Sequence, residues 1–158
     1  MKLKSYLILA AVVIAVFSSA SLSFASDAAA DGGPAFQTLE RIETIVYGSP
    51  QGGGLLSRLS AAEKDVFGRE LPGSLTERQT AMLDFLEKGT TTQPSLLFKL
   101  SVAEWAVAQE IHPGWALARR IDTIEAVVEG TVQGGPYAAR TERLITKLLP
   151  EGVLSTPV

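Results

Sequence analysis

The amino-acid sequence predicts an all-α fold: about six short amphipathic helices in repeats of about 20 residues, placed after an N-terminal signal helix. Three observations predict it. Apolar or small residues recur at offsets 0, 4, 7 and 11 in six consecutive segments, a spacing that draws one narrow stripe along an α-helix. The segments start 20, 20, 21, 21 and 20 residues apart, a period characteristic of stacked repeats. Glycine and proline close every segment, as expected where a left-handed cap ends a helix and proline forbids its continuation.

The chain opens with Lys2 and Lys4, followed by an unbroken apolar run from Tyr6 to Phe17. Ser23-Phe24-Ala25 then places small residues at the −3 and −1 positions of a cleavage site, which is the plan of a secretory signal peptide. A cut after Ala20 satisfies the same rule. The rival is an uncleaved anchor, but a spanning helix needs about 20 apolar residues, and this run has 12. Residues 1–25 are therefore expected to be a signal peptide and 26–34 a flexible spacer. A helical repeat domain follows over 35–152, and 153–158 form a tail. Export to the periplasm or cell envelope follows, with membrane contact only through the N-terminal segment if it stays uncleaved. The tail stops without a closing element, so the helical region is also consistent with the front part of a longer envelope protein.

The six stripes are Ala35-Leu39-Ile42-Val46, Leu55-Leu59-Ala62-Val66, Leu75-Gln79-Met82-Leu86, Leu96-Leu100-Ala103-Val107, Leu117-Ile121-Ile124-Val128 and Tyr137-Thr141-Leu144-Leu148. Gln79 and Thr141 are the two departures. Ser74 with Glu77 fits a capping box at the start of the third unit. Each unit allows about 14 helical residues, about 21 Å long, and a loop of about six. Loops this short predict antiparallel neighbours, in either a helical-hairpin bundle or a short α-array. The segments RIETI and GSPQGGG (41–45, 48–54) match RIDTI and GTVQGGP (120–124, 130–136), which points to duplication of a larger block. The fourth unit is apolar on nearly every side, from Leu96 to Ala108. Such a helix is expected at the centre of the domain, the more economical arrangement, or on a self-association surface through Phe98, Val102 and Trp105.

Composition excludes several kinds of chemistry. With no Cys there is no disulfide, thiolate metal site, cysteine nucleophile or acylated lipoprotein anchor, and one His cannot build a multi-histidine cage or relay. Fourteen Lys+Arg against 17 Asp+Glu give a formal charge of −3, which does not favour a nucleic-acid partner. Removing the leader takes Lys2 and Lys4 with it and brings the balance to −5. GSPQGGG lacks the Lys-Ser/Thr of a phosphate-binding loop, and the serines form neither S-x-x-K nor G-x-S-x-G. His112 is expected to be a turn residue, and Tyr47, Trp105, Trp115 and Tyr137 to serve core or loop-pinning roles. No catalytic, cofactor-binding or metal-ligating residue is expected.

Two charged rows remain. Offset 3 holds Thr38, Arg58, Arg78, Lys99, Arg120 and Arg140; offset 8 holds Glu43, Glu63, Leu83, Glu104, Glu125 and Ile145. They flank the stripe at about 70° on either side, where interhelical ion pairs set pairing. Between antiparallel neighbours equivalent positions would bring Arg beside Arg. Arg–Glu pairing is therefore expected between parallel helices, either alternate units or units of another copy. Arg58, Arg78, Lys99, Arg120 and Arg140 also form a candidate interaction row for an anionic envelope polymer.

LLSRLSAAEKDVFGRELPGSLTERQ and the R-I-x-T-I-E style of the fifth unit resemble repeats in uncharacterised exported proteins of double-membraned bacteria, with R-L-x-x-L-E…F-G…P-G-x-L-x-x-R modules after a signal peptide. The resemblance runs from Leu39 to Gly152. It implies an envelope location and an all-helical fold and brings no catalytic residues. The expected function is accordingly a non-enzymatic envelope scaffold or protein-interaction module, partnered by itself or another envelope protein. The alternative is a binder of envelope polysaccharide or peptidoglycan through the basic row.

Overall fold

The computed structural model describes residues 33–90 and 92–150. The expected leader, most of the spacer and the tail lie outside the described residues. Among the described residues there are six helices and no strand: α1 (Pro34–Tyr47), α2 (Leu55–Phe67), α3 (Leu75–Leu83, continued by a π-helical turn Asp84–Lys88), α4 (Leu96–Ala108), α5 (Leu117–Val128) and α6 (Tyr137–Leu148). No helix here is long and apolar enough to cross a membrane.

The helices start at the expected positions, except that α1 begins one residue early because Pro34 fits the first turn, where its missing N–H costs nothing. Ser74 and Glu77 form the capping box, and Ser95 caps α4 through the Phe98 N–H. The stripe points inward. Leu39, Ile42, Val46, Leu59, Ala62, Val66, Met82, Leu86, Leu100, Ala103, Ile121 and Leu144 have essentially no exposed surface. Both departures from the pattern are buried too. Gln79 Nε2 donates to the Ala35 carbonyl at 2.7 Å, whereas Thr141 Oγ1 has no hydrogen-bond partner.

The sense of the helices differs from the sequence expectation. In α5 and α6, Asp122 meets Arg140, Glu125 meets Arg143, and Glu129 meets Lys147. All three pairs are 18 residues apart, whereas in an antiparallel pair the separation would shrink toward the loop. These neighbours therefore run in the same direction. Tyr47 Oη donates to Asp65 at 2.7 Å across 18 residues, joining the C-terminal parts of α1 and α2. Between α1 and α3, Gln79 reaches Ala35 near the start and Arg41 reaches Glu87 near the end. The loops permit this because they are long enough to run back along a helix. Their last residues are extended, with φ, ψ of −71°, 145° at Gly54, −60°, 156° at Ser95 and −62°, 141° at Pro136. Seven extended residues span about 24 Å, enough to return past a 13-residue helix of about 20 Å.

The packing divides into two triplets of successive helices, α1–α2–α3 and α4–α5–α6, which meet where α1 lies on α5, α2 on α6 and the π-helical turn on α4. Gly68, at φ +77°, closes α2 against the start of α6; a Cβ there would stand 2.8 Å from Pro136 Cγ. This position needs glycine for both backbone and space.

Candidate functional site

The two charged rows meet between consecutive helices. Arg58 donates from Nε and Nη2 to the two oxygens of Glu43 at 2.8 and 2.5 Å. Arg78 holds Glu63 at 2.9 and 2.6 Å, Arg120 holds Glu104 at 2.8 and 2.7 Å, and Arg140 holds Glu125 at 3.0 and 2.6 Å. Each carboxylate also accepts a backbone N–H eight residues downstream: Gln51, Leu71, His112 and Gln133 at 2.9, 3.2, 3.0 and 2.7 Å. One glutamate thus fastens its own helix, the returning loop and the next helix. The four glutamates are buried, as are Arg58, Arg120 and Arg140, while Arg78 is nearly so.

Planar bidentate geometry suits arginine, and a carboxylate withdrawn from water must be paired. Burial pushes the Glu104 and Glu125 carboxyls up. The hydrogen bonds from Arg120 and Arg140, with the N–H groups of His112 and Gln133, outweigh it and hold both below the ordinary range. The same hydrogen bonds push Arg58, Arg78 and Arg140 above the usual guanidinium value.

The pattern breaks once. At the α3–α4 junction Leu83 replaces the glutamate and Lys99 the arginine, and Lys99 Nζ turns instead to Glu142 of α6. Here α3 ends in its π-helical turn, closed by the Gly89 N–H on the Asp84 carbonyl at 2.7 Å. A Cβ on Gly89 would collide with the Ser95 nitrogen and the Gln93 oxygen. The clips therefore bind the helices in threes, matching the packing triplets.

This corrects two expectations. The Arg–Glu pairing joins neighbours and not alternate units, because parallel neighbours place offset 8 beside offset 3 of the next unit; Lys99 alone reaches an alternate unit, through Glu142. Arg58, Arg78, Lys99, Arg120 and Arg140 do not form a polymer-gripping row, since every one is turned into the protein and bonded to a carboxylate. The signal was present in the sequence: the unit that lacks glutamate at offset 8 directly precedes the one with lysine instead of arginine at offset 3.

Helix α4 also differs from the expectation of central burial. Leu96, Leu100 and Ala103 face inward, but Phe98 is 53% exposed and Trp105 61% exposed, with Val102 half-buried between them. Its two charged residues are themselves buried: Glu104 pairs with buried Arg120, and Lys99 reaches the exposed Glu142 of α6. The helix is inverted relative to an ordinary amphipathic one: charges inside, aromatics outside. Each of the other five helices exposes a charged side chain, such as Glu40, Lys64, Glu77, Arg119 or Arg143.

His112 stacks on Trp115 at a centroid distance of 3.9 Å, and the Arg119 guanidinium covers Trp115 at 3.8 Å. His112 Nδ1 lies 3.7 Å from Glu104 and Nε2 lies 3.6 Å from Glu110, beyond hydrogen-bond reach. The stack pins the α4–α5 loop. A recess of about 210 Å³ lies beside Glu43, Tyr47, Gln51, Ser57 and Arg58, and an apolar one of about 40 Å³ beside Val107, Ile124 and Val127. Both adjoin the first clip of a triplet. In the larger one the Glu43 oxygens are already bonded to Arg58 and Gln51. Among the described residues no group of three His, Asp or Glu is placed to hold a metal. No family model, no curated protein and no solved structure matches the chain.

Proposed function

We propose that this protein is a non-enzymatic, exported envelope protein whose helical triplets form a scaffold presenting an interaction surface. The observation that carries it is the outward face of α4, where Phe98, Val102 and Trp105 stand in a helical row without an exposed charge. Aromatic residues on an uncharged patch are the composition of an interface core, and such a patch is costly to leave in water. The acidic and basic groups elsewhere support the scaffold role, because the buried ones are engaged in holding helices together. Export rests on Lys2, Lys4, the apolar run Tyr6–Phe17 and Ser23-Phe24-Ala25. The polysaccharide alternative has lost its row of free cations.

The test is site-specific photo-crosslinking in the producing cell. A photoreactive residue at 98 or 105 is expected to capture protein in the envelope fraction, while one at Thr80 does not. Retention on purified cell-wall polysaccharide that survives Phe98→Ser and Trp105→Ser, or a cytoplasmic location, would overturn the proposal.

A further inference from the structure

We infer that the cleft between the C-terminal halves of α4 and α5 binds a tyrosine side chain of a partner protein, with the ring edge between Ala108 and Val127 and the hydroxyl on Glu110. This rests on the interaction-module reading and adds an anchor point to it. The cleft adjoins the outward face of α4, since Trp105 stands one turn before Ala108 on the same side of that helix.

The four clipped junctions repeat one another position by position. Past each clip, offset 12 of one helix faces offset 10 of the next. At α1–α2 these are Tyr47 and Asp65, joined by a hydrogen bond of 2.7 Å. At α2–α3 they are Phe67 and Phe85, with ring centroids 4.7 Å apart. At α5–α6 they are Glu129 and Lys147, an ion pair at 2.7 Å. At α4–α5 they are Ala108 and Val127. Two short side chains leave open what the other three pairs close, and the apolar recess of about 40 Å³ lies there. Ala108 is exposed, and Val127 is 66% exposed.

Size, precedent and charge select the occupant. A closed cavity of about 150 Å³ takes a whole benzene; this smaller, open recess beside Val107 and Ile124 takes the edge of a ring. The chain itself sets an aromatic ring at offset 12 twice, in Tyr47 and Phe67. At the mouth the Glu110 carboxylate is exposed and accepts no hydrogen bond among the described residues, His112 Nε2 being 3.6 Å away. Arg120, which also lines the recess, is engaged by Glu104. The lining therefore offers a carboxylate acceptor and no unpaired guanidinium. That suits a phenol hydroxyl, as Asp65 suits that of Tyr47, and disfavours an anion.

The probe is p-cresol, the tyrosine side chain alone, titrated into the full chain and followed by NMR. Amide shifts are expected at Ala108, Thr123 and Val127, saturating on the order of millimolar, and not at Asp65 or Phe85. Toluene in place of p-cresol, or Glu110→Ala, should each weaken binding roughly fivefold, the contribution of one hydrogen bond. Ala108→Tyr with Val127→Asp copies the α1–α2 pair into this junction and should abolish the shifts. Val127→Lys, at an exposed site, should do the same even where the double variant fails to fold. In the producing cell, filling the recess should lower photo-crosslinking from position 105 several-fold. Shifts indifferent to these variants, or shared by positions 65 and 85, would overturn the inference, as would crosslinking from 105 that is indifferent to a filled recess. Crosslinks from 98 and 105 to envelope protein would then leave the interaction-module reading standing without a tyrosine anchor; their absence would remove both.

Discussion

Arg120 and Glu104 face each other through two parallel hydrogen bonds of 2.8 and 2.7 Å, and both side chains are almost wholly withdrawn from water. Breaking such a pair from one side strands the other charge. Arg120→Leu should therefore cost about 3–5 kcal/mol, read as a lowered urea midpoint with an unchanged slope. The double change Glu104→Leu with Arg120→Leu should recover most of that loss and remain about 1 kcal/mol below the wild type, since the His112 N–H loses its acceptor. A double variant no better than Arg120→Leu would contradict this account.

Acid should loosen the same joints. The folded-state carboxyls of Glu104 and Glu125 titrate below their ordinary 4.5. A depressed carboxyl stabilises the folded form fully above its unfolded value, and that contribution fades as pH falls through the folded one. Stability should thus be level above 4.5 and decline steeply below it. Urea titrations at successive pH values check this; a midpoint that rises on acidification would refute it.

The loop amides offer a local readout. Gln51, Leu71, His112 and Gln133 donate to buried carboxylates although they lie outside the helices. Their exchange with deuterium should be roughly tenfold or more slower than that of Gly52 and Gly134 beside them. Equal rates would mean that the clips do not hold the loops.

Helix α4 ends on Gln109 at φ +56°, a left-handed position that α1 and α2 give to Gly48 and Gly68. A side chain there costs about 1 kcal/mol or more. Gln109→Gly should raise stability by about 1 kcal/mol in thermal or urea unfolding, and a loss would show that the Gln109 side chain makes a compensating contact.

Much of the frame was legible in the sequence, because burial follows the 4-3-4 rhythm wherever a helix has one apolar side. Leu59, Ile121 and Leu144 are buried as the stripe demands. Helix direction was not legible, since a connection implies a reversal only where it cannot reach back along the helix, and seven residues such as 48–54 can. The roles of Arg58 and Arg140 followed helix direction: once neighbours are parallel, the acidic row of one faces the basic row of the next. In α4 the stripe marked the inner side, where Leu96, Leu100 and Ala103 are buried, but apolar residues all round the helix hid that its other side stays exposed. That exposure became visible only in three dimensions, with Glu104 paired to buried Arg120 and Lys99 tucked against α6.

The shared direction of helices within a triplet has one more effect. Peptide dipoles that would cancel between opposed neighbours add instead, leaving about half a unit charge of each sign at every helix's two poles. Gly48, at the negative pole of α1, would touch Ala116 at the positive pole of α5 if it bore a Cβ, and Gly68 at the end of α2 stands likewise against Pro136 at the head of α6. The triplets are thus coupled tail to head, like bar magnets laid end against end, so the field built up within each one draws the other toward it.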